Sequence, residues 1–117
     1  MNVLHALTEK KYRGMALLHF ENEKPLQGLL GEVDWKLAGV FTRLVREGTL
    51  TGKKNEMSYV PVKWNEETFH FLIVGNGQTD PSTKRPTLTA DQLELVQTKI
   101  TQLQLADILI EGMSEWN

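Results

Sequence analysis

The chain has 117 residues, 40% of them hydrophobic, with 13 basic and 15 acidic side chains and a formal net charge of -2. That length suits one domain whose core removes roughly two-thirds of the unfolded surface from water without a disulfide or a metal, and a pI of about 5.9 argues against general attraction to nucleic acid or acidic lipid. The absence of cysteine excludes a disulfide framework, a thiolate zinc site and a cysteine nucleophile.

Residues 1–14 lack a basic stretch followed by a long apolar core, and no apolar run approaches the ~20 residues that span a bilayer. A soluble, cytoplasmic protein without a membrane partner is therefore expected. Residues 2–7 and 14–20 are short apolar runs separated by charged residues. Both read as strands, and Leu17-Leu18 in the second breaks strict alternation, as in a strand buried on both faces. Leu29, Leu30, Val33, Leu37, Val40, Phe41 and Leu44 then recur at helical spacing, which predicts one amphipathic helix closed by a C-terminal cap at Gly48. Residues 56–63 and 68–74, joined by a polar turn, form a predicted hairpin. Pro61 puts the first of these strands at an edge or at a bulge.

The polar stretch 75–88, with two prolines, is the expected mobile loop. Thr89 and Gln92 have the spacing of a capping box and Leu88 and Leu93 that of a hydrophobic staple, so a helix is predicted to about Gln102. The apolar run 105–110 suits a buried parallel strand. The order strand, strand, helix, strand, strand, helix, strand gives a mixed sheet of about five strands flanked by helices, an α/β fold.

Several stretches carry a resemblance to a known family. Asp34, Leu37, Ala38, Gly39 and Leu44 on the first helix, Gly52-Lys53 in the loop after it, and the strand ending Ile73-Val74-Gly75-Asn76-Gly77 resemble the N-terminal, non-catalytic domain of the leucyl aminopeptidases, peptidase family M17. The resemblance implies that residues 1–117 form a single domain with a macro-domain-like, three-layer fold. In that family a separate catalytic domain binds two divalent ions, and its signature, similar to Asn-Thr-Asp-Ala-Glu-Gly-Arg, has no counterpart here. A paired-His helix motif, a G-x-S-x-G elbow and a Walker-type phosphate loop are likewise missing from the sequence. No catalytic residue, metal ligand or cofactor is assigned. The three histidines, His5, His19 and His70, have no carboxylate at fixed spacing and read as ordinary sheet residues.

Two sets of residues stand out as candidate sites. Gly75, Asn76 and Gly77, after a buried strand, and Gly52-Lys53 could bring backbone N–H groups up to an anion, although turns explain the glycines as well. At 100° per residue Trp35, Gly39, Thr42 and Arg46 fall opposite the apolar stripe of the first helix, where a large aromatic beside a bare backbone suits a protein interface. The expected function is that of a stand-alone, non-catalytic relative of the aminopeptidase N-terminal domain. It would be an interaction or regulatory module, or a remnant of the enzyme, with a protein partner or a homo-oligomeric state and no nucleic acid. The alternative is a small macro-like protein that binds a nucleotide or ADP-ribose at residues 75–77.

Overall fold

The computed structural model describes residues 12–23, 25–64, 66–78 and 87–111. The strand expected over 2–7, His5 and most of the loop expected to be mobile lie outside these residues. Within them, four strands form one mixed sheet in the order β2-β3-β1-β4: β1 (Gly14–His19), β2 (Met57–Trp64), β3 (Glu67–Gly75) and β4 (Ile108–Ile110). Strand β1 runs parallel to both β3 and β4, whereas β2 and β3 form the antiparallel hairpin. Strand β1 is buried along its whole length, as an unbroken apolar run on a central parallel strand should be. Pro61 lies on β2 at the edge of the sheet, where its missing N–H costs no ladder bond.

Helices flank both faces. Residues of one parity on β1 and β3, Met15, Leu17, Phe69, Phe71 and Ile73, pack with Leu30, Val33, Leu37 and Phe41. Those of the other parity, Ala16, Leu18, Leu72 and Val74, pack with Val96 of the last helix. Phe41 meets Phe71 edge to face, with ring centroids 5.2 Å apart, the geometry favoured by aromatic quadrupoles.

The first helical region corrects the expectation of one continuous helix. It is two helices, α1 (Gly28–Lys36) and α2 (Val40–Arg46). At the break the Gly39 N–H donates to the Asp34 carbonyl and the Ala38 N–H to that of Trp35, the bond pair of a Schellman motif. Ala38 and Gly39 both take positive φ, 60° and 81°, and the chain turns before the second helix begins. The apolar spacing did not reveal the turn because Leu37 and Phe41 on either side still point into one core. The same motif ends α2, with Gly48 at φ 80° and bonds from Gly48 to Val45 and from Thr49 to Leu44, so the predicted glycine cap is present. The last helix, α3 (Ala90–Gln102), opens on the expected capping box: Gln92 N–H donates to Thr89 Oγ1 at 3.1 Å and Thr89 N–H to Gln92 Oε1 at 3.0 Å. Among the described residues no helix is long and apolar enough to cross a membrane.

Candidate functional site

Two regions collect the candidate residues. The first is at the C-terminal ends of β1 and β3, whose following helices lie on opposite faces of the sheet. Such a switch point is where open α/β sheets usually leave a ligand crevice. Here the chain's own backbone fills it. Gly77 N–H donates to the Gly52 carbonyl at 2.8 Å, Asn76 N–H to that of His19 at 2.9 Å, Gly75 N–H to that of Glu56 at 2.7 Å, and Glu21 N–H to that of Gly77 at 2.9 Å. A Cβ on Gly75 would stand 2.1 Å from the Lys53 carbonyl oxygen, and one on Gly52 would stand 2.7 Å from the Glu21 nitrogen. The fold thus brings Gly52-Lys53 and Gly75-Asn76-Gly77 together, and their glycines permit two loops to cross at backbone contact.

The carboxylate of Glu56 sits over the concave backbone of residues 51–52. It accepts from the Thr51 N–H at 3.0 Å, the Gly52 N–H at 3.2 Å and the Thr51 hydroxyl. A nest of this kind binds anions, and the anion here is the chain's own. Burial would raise the Glu56 pKa, but the hydrogen bonds from Thr51 and Gly52, with the charge of nearby His19, outweigh it and hold the carboxyl below its ordinary value. Asn76 is fixed from the side by buried Gln92, whose Nε2 donates to Asn76 Oδ1 at 2.7 Å. Sequence reasoning missed both Glu56 and Gln92 as organisers of these loops. Gln92 was legible only as a cap, and its second bond spans 16 residues.

The two histidines among the described residues, His19 and His70, do not converge. His19 pairs with Gly75 at one end of the parallel ladder and His70 with Gly14 at the other, five residues and roughly 16 Å apart. His70 Nδ1 lies 2.6 Å from the Tyr59 hydroxyl. Among the described residues no group of three or more His, Asp or Glu side chains could hold a metal ion.

The second region is the corner between α1 and α2. Asp34, buried near the end of α1, turns its carboxylate onto the start of α2. Oδ1 accepts from the Phe41 N–H at 2.7 Å and the Thr42 N–H at 3.0 Å, and Oδ2 from the Thr42 hydroxyl at 2.5 Å. Gly39 occupies the N-cap position of α2 and has no side chain to offer, so Asp34 satisfies the orphan donors from the preceding helix. Trp35, the next residue, projects from this corner and is 80% exposed. Beside it is a depression of about 440 Å³ whose lining, with Trp35 itself, includes Pro25, Leu26, Gly31, Asp34, Gly39 and Thr42. A second depression shares Pro25, Leu26 and Thr42 and extends to Val45 and Arg46. The corner therefore brings Trp35, Gly39, Thr42 and Arg46 onto one surface. Gly39, expected inside a helix, is instead a residue of the turn. Pro25 and Leu26 were not singled out in the sequence, because their place beside α1 is a tertiary matter.

No protein-family model matches the chain. It is similar over 66 residues, at 33% identity, to a probable cytosol aminopeptidase of Trichormus variabilis. The matched stretch covers 56% of this chain and 13% of that protein, so the chain spans a small part of the relative's length. The similarity supports a segment related to the aminopeptidases of family M17.

Proposed function

We propose that this protein is a non-catalytic, aminopeptidase-related domain of the cytoplasm, macro-like in architecture, that serves as an interaction or regulatory module through the corner around Trp35. The observation that carries the reading is the 80% exposure of Trp35 next to a depression lined mainly by apolar and glycine residues. Tryptophan exposed to this degree leaves a large apolar surface in water, and Trp and Arg are the residues most enriched at binding hot spots. The partial identity to a cytosol aminopeptidase and the mixed sheet flanked by helices support the aminopeptidase-related part. The non-catalytic part rests on the resemblance of Asp34, Gly39, Gly52-Lys53 and Val74-Gly75 to the domain of that family that carries no metal ions. Interaction is favoured over nucleotide binding because the N–H groups of Gly52, Gly75, Asn76 and Gly77 all donate within the chain.

The test is to mix the purified protein with a cytosol aminopeptidase while recording mass by light scattering and leucine-p-nitroanilide hydrolysis with zinc, manganese or magnesium. The protein alone should show no turnover, and its association with itself or the enzyme should be lost in Trp35→Ala. Metal-dependent turnover by the protein itself, or a Trp35→Ala variant that associates as the wild type does, would overturn the reading.

A further inference from the structure

We infer that the occupant of the Trp35 surface is a second copy of this chain, related by a two-fold axis, with each Trp35 indole seated in the depression beside the partner's Trp35. This rests on the interaction reading above and names its partner. A projecting group and a recess lie within a single patch: Trp35 is 80% exposed, and Gly31, Ala38 and Gly39, with little or no side chain, form much of the adjoining depression of about 440 Å³. A patch that carries both halves of a contact is complementary to itself, and a two-fold arrangement makes the contact twice. The depression exists because α1 stops at Lys36 and the chain turns through Ala38 and Gly39.

The charges follow the same logic. The α1 arm of the corner carries exposed Glu32 and the α2 arm carries exposed Arg43 and Arg46. When the α1 arm of each copy lies across the α2 arm of the other, Glu32 faces the partner's Arg43 and Arg46, and does so on both sides of the axis. Complementary charge of this kind sets orientation more than affinity. Area sets the strength. Each aromatic ring buries about 150–250 Å², so two rings and their recesses remove on the order of 600–1,000 Å², below the ~1,200 Å² at which stable interfaces begin. The dimer is accordingly of the weak, transient kind.

Sedimentation velocity of the whole protein between about 5 and 500 μM tests this. The wild-type mass should rise from 13.3 kDa towards twice that value, while Trp35→Ala stays monomeric with an unchanged thermal midpoint. Arg43→Glu with Arg46→Glu should weaken the dimer about tenfold or more, and adding Glu32→Lys to that pair should restore it. The inference is overturned by a wild type that remains monomeric throughout, by a dimer indifferent to Trp35→Ala, or by charge reversal without restoration. If the wild type is monomeric but Trp35→Ala still abolishes association with the aminopeptidase, only the second copy is wrong. If that association is also insensitive to Trp35→Ala, the interaction reading fails with it.

Discussion

Asp34 and Thr42 are joined across a helix break: the Thr42 hydroxyl and N–H both donate to the Asp34 carboxylate, at 2.5 and 3.0 Å. The pair holds two helices at the angle that leaves Trp35 outside and Leu37 and Phe41 inside. Negative charge at the start of α2 also complements the helix dipole. Asp34→Ala leaves the first N–H groups of α2 without their acceptor and should cost about 1–2 kcal/mol in urea unfolding. Thr42→Val removes one bond and should cost less. Because the two residues share a network, the double variant should fall short of the sum by about 0.5 kcal/mol or more. Strict additivity would show that the carboxylate caps α2 without help from Thr42.

Glycines at two positions should respond to alanine for different reasons. At Gly75 a Cβ collides with the Lys53 carbonyl oxygen, 2.1 Å away, and with Gly52. The loop crossing must open, at a cost of about 3 kcal/mol or more. At Gly48 nothing stands within 4 Å and only the positive φ of 80° opposes the side chain, so about 1–2 kcal/mol is expected. Equal losses in chemical denaturation would contradict the close crossing.

The pH dependence of stability carries a signature of Glu56. Its pKa in the folded protein lies below the ordinary 4.5, so the unfolded chain binds the proton more readily. The contribution of the carboxylate is therefore complete above about pH 6 and is lost as pH falls below 4.5 and through the folded value. Glu56→Gln should be less stable than wild type at neutral pH, and the gap should close on acidification. A gap that is constant from pH 7 to pH 3 would show that the charge contributes nothing.

Truncating two aromatic residues near the corner should separate surface from core. Phe41 is fully buried against Phe71, and Phe41→Ala should lose about 3–5 kcal/mol. Trp35→Ala should change the unfolding free energy of the monomer by no more than about 0.5 kcal/mol. A large loss for Trp35→Ala in calorimetry of dilute protein would mean that the indole packs within its own chain.

Features governed by neighbours in sequence were legible in advance. The unbroken run of β1 reads as a doubly buried strand, Thr89 and Gln92 as a capping box, Gly48 as a C-terminal cap and Pro61 as an edge residue. In each case the deciding interaction is local or is the transfer of a side chain from water, which hydrophobic period reports directly. Asp34, Ala38 and Gly39, which carry the resemblance in the first helical region, form the break between α1 and α2.

Tertiary structure decided the rest. A 3.6-residue period persists through the break at Ala38-Gly39 because both helices face one core, so the turn appears only when the Asp34 carboxylate meets the N–H groups of Phe41 and Thr42, seven and eight residues on. By sequence the glycines at 52 and 75 suit a cradle for an anion, whereas in the fold their N–H groups meet the Glu56 carboxylate and the Glu56 carbonyl. Which acceptor a backbone donor finds depends on which loops cross, and that crossing is set by the pairing of strands distant in sequence. Trp35 divides between the two: its outward direction follows from its place opposite the apolar stripe of α1, whereas the depression beside it exists only because the chain turns at Ala38-Gly39 and brings Thr42 next to Gly31 and Leu26.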